Sequence, residues 1–300
     1  MSSQHDWRFP TTNPTDFKWG MVAYSFGSQT LGPGDEYPPK TAIASYIFNP
    51  RKGRVIDEYQ LVYITKGRGV FTSESLGRTE KIKAGDAFFL FPGEWHSYRP
   101  DPDTGWEEYW IHFVGFLPDM WTKEGLLNKQ DPVLHIGIRE DILTNYKIGE
   151  RILMKQYSAY QQAMCGICTN IICSAIYYHR NSLPESSRIS ESVNKARMTI
   201  SGHLSEIKAP DMVEGTDLSY SKFRKDFKDY VGMPPGAYIR NIRISQAKEL
   251  LTNTDMSIKE IAFECGFKNA DYFCVAFRKS VGMSATEYRK RTRYNSWEQD

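Results

Sequence analysis

One segment restricts the fold of this chain more than any other, because it is written twice. Ser219–Arg240 laid over Asn269–Lys290 repeats its landmarks at an offset of 50 residues: Phe223/Phe273, Phe227/Phe277, Val231/Val281, Gly232/Gly282, Met233/Met283, Tyr238/Tyr288 and Arg240/Lys290. Two copies are too few for a solenoid, so the repeat marks one supersecondary unit used twice. Each copy reads as two short helices around a tight turn, the arrangement that delivers a helix into the major groove of DNA. Phe223, Phe227 and Val231 stand four apart and belong to a core. The opposite face carries Ser221, Arg224, Lys225 and Lys228.

Charge is distributed accordingly. The chain carries 38 Lys/Arg and 36 Asp/Glu, a balance that says little as a sum. Within 218–294 the count is 15 Lys/Arg against 8 Asp/Glu, while residues 1–186 hold 19 against 21. A basic block joined to a mildly acidic one fits binding to a polyanion through one end. On charge alone, a solvated basic surface fits equally well. Five widely spaced cysteines argue against a disulfide framework, and Cys165 and Cys168, a C-x-x-C inside an apolar helical run, read as packing. Met1–Asn13 holds Asp6 and Arg8 and no apolar run of signal type, and no stretch reaches the 18 or so apolar residues of a membrane span. A reduced, cytoplasmic protein is expected.

Three hundred residues suggest about two domains. From about Ala42 to Val114 the chain reads as short strands broken by Gly, Pro and Asp. Tyr59–Ile64 is expected to end in a turn at Gly67-Arg68-Gly69, with Val70–Thr72, Thr79–Ile82, Ala87–Phe91, Trp95–Tyr98 and Glu107–Val114 following. Such spacing predicts a sandwich or barrel. After Val133 the apolar period lengthens to three and four, predicting two helices of roughly fifteen and twenty-five residues that meet near Gln156–Tyr160. Asn181–Arg188 (NSLPESSR) is the best linker.

Beyond it, Ile189–Leu204 reads as a helix with Ser190 as N-cap, and Pro210 opens a short helix to about Gly215. Ser219 caps a helix to Val231, and Pro235 starts a longer one to about Thr252 that joins the copies rigidly. Ser257 with Glu260 forms a capping box for Met256–Cys265. Gly266 suits a turn with positive φ. Asn269 caps Ala270–Val281, and Ser284 caps a last helix to Arg293.

Ser257-Ile258-Lys259-Glu260-Ile261-Ala262-x3-Gly266-Phe267-x-Asn269-x2-Tyr272-Phe273-x3-Phe277-Arg278-x3-Gly282-Met283-x4-Tyr288-Arg289 closely resembles the DNA-binding signature of the AraC family of bacterial regulators, over about Ile189–Tyr294. Gly85-Asp86-x4-Phe91-Pro92-Gly93-x2-His96, followed by Trp106–Phe113, resembles the cupin-type effector domain of the same family, over roughly 40–115. The resemblance implies an α+β multidomain protein. An N-terminal cupin-like β-barrel (1–135) precedes a helical hairpin that dimerises (136–182). An all-α domain with two helix-turn-helix units (183–300) follows. Implied partners are double-stranded operator DNA, a small-molecule effector, a second copy of the chain and RNA polymerase.

Metal-binding cupins use a pair of His, a Glu and a further His. Only His96 stands where a ligand would be, and one imidazole cannot hold a metal. The chain therefore predicts no metal, cofactor or catalytic residue. A barrel without metal still encloses a small molecule. Tyr59, Tyr63, Phe71, Trp95, Tyr98, Trp106, Tyr109 and Trp110 supply aromatic faces suited to sugar C–H groups, although any one of them is as readily core. The resemblance to sugar-responsive members places pocket residues at Tyr98, Glu108 and Trp110, with Arg54 before the first barrel strand; His96 joins them as a polar contact. A sugar-responsive activator of carbohydrate-utilisation genes is the leading expectation. A sugar-processing enzyme with a DNA-binding tail, and a packaging protein without effector, are its rivals.

On the DNA side, Arg224 or Lys225 suit guanine, Ser221 a base or a phosphate, and Asp271 a cytosine amine. Lys228, Lys268 and Arg278 suit phosphates, and Asn269 and Tyr272 complete the candidate contacts. The second unit departs from the family at Val275, often Arg, and at Ala285, usually Pro. The first departs at Val213 and Asp217. Valine cannot fork onto guanine, so the first unit is expected to carry more of the base readout, with the two helices in successive major grooves roughly 34 Å apart.

Overall fold

A computed structural model describes residues 10–39, 48–182, 193–194, 204–213 and 219–294. The chain divides into two compact units, Met1–Leu183 and Pro184–Asp300. The helix expected over Ile189–Leu204 with its Ser190 cap, the core of the expected linker and the turn at Asp217 lie outside the described residues, apart from Val193, Asn194 and Leu204.

Among its described residues the first unit holds seven strands: β1 (Val22–Leu31), β2 (Tyr59–Ser73), β3 (Thr79–Lys83), β4 (Asp86–Leu90), β5 (His96–Pro100), β6 (Trp106–Val114) and β7 (Val133–His135). All pairings are antiparallel, in the order β1-β6-β2-β4-β7, with β3 and β5 flanking the second half of β2. The turn expected at Gly67-Arg68-Gly69 is instead a bend within one 15-residue strand. A register shift between Ile64 and Lys66 and a left-handed Gly67 (φ +77°) swing β2 from one sheet into the other. A Cβ at Gly67 would lie 2.1 Å from the carbonyl oxygen of Gly105, so only glycine fits the bend.

Residue parity assigns the two faces. Val62, Ile64, Phe71, Phe88, Leu90, Trp106 and Trp110 fill the barrel interior. Leu61, Tyr63, Phe89, Ile111 and Phe113 face outward, yet they are buried with Tyr146, Leu153, Cys168, Ile171 and Ile172 of the helices behind the sheet. Burial on both sides is why Leu61–Ile64 and Ala87–Phe91 are unbroken apolar runs. Those helices are α2 (Glu140–Lys155) and α3 (Tyr160–Ser182), turning through left-handed Gln156 and Ala159; a shorter α1 (Phe116–Lys123) follows β6. Cys165 and Cys168 are buried on α3, and burial pushes the Cys168 thiol far up, which leaves it unreactive.

Among its described residues the second unit holds a 3-10 turn (Ala209–Val213), α4 (Tyr220–Val231), α5 (Pro235–Asn253), α6 (Ile258–Glu264), α7 (Ala270–Val281) and α8 (Ala285–Tyr294). Its caps are those the sequence signals. Ser219 Oγ accepts from Lys222 N, Ser257 and Glu260 exchange bonds of 3.1 and 2.7 Å, and Gly232 and Gly282 close α4 and α7 at φ +83° and +84°. Each helix-turn-helix unit has its own core. Met212, Phe223, Phe227 and Ile239 fill the first; Ile244, Ala247, Leu251, Ile261, Phe267, Phe273 and Phe277 fill the second. Helix α5 gives its first half to one core and its second half to the other.

Candidate functional site

The barrel interior gathers polar side chains from four strands. Ser25 and Gln29 on β1, Gln60 on β2, His96 and Tyr98 on β5, and Glu108 and His112 on β6 are all buried. Arg54 joins through a backbone bridge to His96, with bonds of 2.9 Å in each direction. Its guanidinium donates from Nε to His96 Nε2 at 3.3 Å and from Nη2 to Tyr98 Oη at 3.1 Å, and lies 4.5 Å from the Phe48 ring centroid. His96 Nδ1 stands 3.1 Å from the Glu94 carbonyl oxygen, so Nδ1 carries the proton and Nε2 accepts from Arg54. A metal would have to displace that guanidinium. Among the described residues, no three His, Cys, Asp or Glu side chains are grouped as a metal site needs.

Trp110 Nε1 donates to Ser25 Oγ at 3.1 Å, and the indole lies over Gly27, where a Cβ would sit 2.8 Å from the ring. The Gln29 amide donates to Glu108 Oε1. Glu108 Oε2, Gln29 Oε1, Gln60 Oε1 and Trp106 Nε1 are buried with no hydrogen-bond partner among the described residues. Three acceptors and a donor left open in one interior are what a polyhydroxylated ligand would satisfy.

Burial sets the charge state of this interior. It pushes the Glu108 carboxyl up to about 7, against the Gln29 bond and the Arg54 charge. Burial first, and then the Arg54 cation, lowers His96 to about 4; burial, Arg54 and His96 lower His112 to about 3. Near neutrality the interior thus holds one fixed cation, two neutral imidazoles and a carboxyl poised between its two forms.

Arg54, His96, Tyr98, Glu108 and Trp110, the five residues singled out from the sequence, therefore meet in one place. Sequence reading missed Ser25, Gln29, Gln60 and His112, and also Tyr37 and Phe48, which pack on Tyr98 and line a surface cavity of about 890 Å³. Gln60 and His112 were open to detection, since they share parity with Val62 and Trp110 on their strands.

In the second unit, Ser221, Arg224, Lys225 and Lys228 are exposed along α4, while Phe223 and Phe227 are buried. On α7, Asp271, Tyr272, Val275 and Arg278 are exposed opposite Phe273 and Phe277. Asn269 spends its Oδ1 on the helix cap, accepting from Asp271 N at 2.7 Å and Tyr272 N at 3.3 Å, so only its amide nitrogen is available to another partner. Lys268, Asn269 and Tyr272 also border a cleft of about 640 Å³ between the two helix-turn-helix units, together with Lys208 and Arg240.

One fastening had no sequence signal. Arg243 on α5 donates from Nε and Nη2 to the Leu204 carbonyl (3.0 and 2.9 Å) and from Nη2 to that of Ile207 (2.9 Å), with Ser205 at 3.4 Å. Its guanidinium also lies 6.0 Å from the Phe267 ring centroid, in the second unit's core. A single side chain from the shared helix thus ties the entry of the first unit to the turn of the second.

Comparison with known proteins matches both halves. Residues 46–155 fit the AraC-like ligand binding domain, and residues 212–291 fit a helix-turn-helix domain. The chain is 24% identical over 243 residues to the MmsAB operon regulatory protein of Pseudomonas aeruginosa, spanning 79% of this chain and 76% of that protein. It is 25% identical over 272 residues to the raffinose operon transcriptional regulatory protein RafR of Pediococcus pentosaceus, covering 89% and 95%. Identity to the lactose operon transcription activator of Staphylococcus xylosus is 23% over 251 residues, covering 81% and 87%. With a ligand-binding barrel and a duplicated helix-turn-helix matched in that order, the chain belongs to the AraC family of transcription regulators.

Proposed function

We propose that this protein is an activator of carbohydrate-utilisation genes that binds a sugar inside its barrel and reads operator DNA with α4 and α7. The observation that carries the sugar assignment is the set of open polar atoms on Gln29, Gln60, Trp106 and Glu108, in an interior that also buries Tyr98 and Trp110 and holds Arg54. Relatives named for raffinose and lactose operons support it. The domains in this reading are 1–135 for the effector, 136–182 for a homodimer contact through α2 and α3, and 183–300 for DNA. The protein works in the bacterial cytoplasm, on the nucleoid when bound, with RNA polymerase as partner. No helix among the described residues is long and apolar enough to cross a membrane. Catalysis has no part in the proposal, because the interior imidazole best placed for it is already bonded to Arg54.

Thermal melting of the full chain against a panel of mono- and oligosaccharides tests the effector. At least one sugar should raise the melting temperature, the gain in stability being RT ln(1 + [L]/Kd), or about 2.7 kcal/mol at a hundredfold excess over Kd. An Arg54→Ala chain should lose that response. A flat panel would remove the sugar from the proposal.

The DNA contacts separate by salt. Arg278→Ala should weaken binding to all duplexes alike and reduce the log–log salt slope by about 0.9, as expected for one lost phosphate contact. Arg224→Ala should cost about 1–3 kcal/mol at one base pair and relax preference there. The opposite pattern, with Arg278 setting a base preference, would reverse these assignments.

A further inference from the structure

The two reading helices present different chemistry at equivalent positions. With about 100° per residue, Phe273, Ala276 and Phe277 define the inner side of α7, and all three are buried. Asp271, Val275 and Arg278 then lie on the side farthest from the core. The same construction on α4 selects Ser221, Lys225 and Lys228, so Val275 occupies the place that Lys225 holds in the first copy. Val275 is 67% exposed, on the outermost line of a helix whose other outward side chains are polar, charged or Cys274.

A valine at that position has nothing to offer a phosphate and no donor or acceptor for a base. The only apolar group that a base pair shows in the major groove is the C5-methyl of thymine. The neighbours narrow the choice. Asp271, one turn toward the N-terminus, repels phosphates and accepts from an amino group, so the N-terminal end of α7 is suited to base edges. Arg278, a turn beyond Val275, suits the backbone. Val275 lies between a base-reading position and a phosphate-holding one.

We propose that Val275 reads thymine, its two methyl groups packing on the C5-methyl of one thymine in the half-site of the second unit. The assignment rests on the reading of α7 as a helix that enters DNA. It divides recognition between the copies: the first selects guanine through long cationic donors, and the second selects a methyl group by apolar contact. A purely structural Val275 would be indifferent to that methyl.

The test uses the full chain and an operator enriched from a random duplex pool by the wild-type protein. Each thymine is then replaced singly by deoxyuridine, which removes the methyl and leaves the pairing intact. One replacement should weaken binding about fourfold, the factor expected for burying one methyl group. Val275→Ala should weaken binding to the thymine operator by a similar factor and bind the thymine and deoxyuridine operators equally, so that the two losses do not add. Val275→Ile should keep the preference for thymine. The proposal fails if no deoxyuridine replacement matters, or if Val275→Ala retains the full deoxyuridine penalty. A pool that never enriches would instead overturn the DNA-reading function itself. Because the side chain is exposed, melting of both variants should match the wild type.

Discussion

Arg243→Ala should uncouple the two reading helices while leaving each able to fold. The guanidinium satisfies carbonyls at Leu204 and Ile207 and approaches that of Ser205, and it is half-buried against Phe267. Removing it leaves those acceptors without their charged donor. At about 1–3 kcal/mol for each such group, the second unit should lose on the order of 3 kcal/mol of stability. Affinity should fall far more for a duplex that engages both helices than for one carrying a single half-site, because the fixed spacing between them is what makes the second contact intramolecular. Inserting one or two base pairs between the half-sites should harm the wild type steeply and the variant little. Lysine at 243 keeps the charge but cannot reach several carbonyls at once, so it should fall between the two. Equal losses on full and half duplexes, with unchanged sensitivity to spacing, would show that Arg243 does not set the geometry.

Glu108→Gln should stabilise the barrel in a pH-dependent way. In the fold this carboxyl keeps its proton up to about 7, above its usual value of 4.5. Between those values the folded chain binds more protons than the unfolded one, so the contribution is complete at low pH and is lost as pH rises through 7. The wild type therefore pays for a buried charge that glutamine never carries. The advantage of the variant should grow from pH 5 to about 8 and then level, on the order of 3 kcal/mol at the plateau. His96 and His112 work in the other direction. Their folded values of about 4 and 3 lie below 6.5, so what they contribute is present above 6.5 and fades as the solution becomes more acidic. Melting from pH 6.5 to 8 isolates Glu108, and a difference that does not change with pH would mean its carboxyl is ionised throughout. Effector affinity should shift over the same interval if the sugar bonds to Glu108.

The C-terminal unit was legible because its signals are local. Ser219, the Ser257/Glu260 pair, Asn269 and Ser284 each act within a few residues of their own position, and all stand where the pattern put them. The barrel was harder to read. Gly67-Arg68-Gly69 resembles a turn, and only the distant Gly105 carbonyl makes it a bend. Strand β1 mixes Ser25, Gly27, Ser28 and Gln29 into an apolar frame, since its inward face meets Trp110 and Glu108 rather than plain hydrocarbon. Without β1, Gln29 had no place in the site. Arg243 was invisible for another reason: its partners are main-chain carbonyls, which every residue possesses.

Helix α5 belongs to both small cores, and this makes its length a phase setting. One added residue in its middle would advance everything beyond by about 1.5 Å and turn it by about 100°, pointing α7 away from the side that α4 faces while both cores keep their own contacts. Two added turns would restore the facing but stretch the pair. The offset of 50 residues between the copies thus fixes the rotation of α7 relative to α4 as well as marking a repeat. Substitutions are easily absorbed by such a helix; insertions and deletions are not.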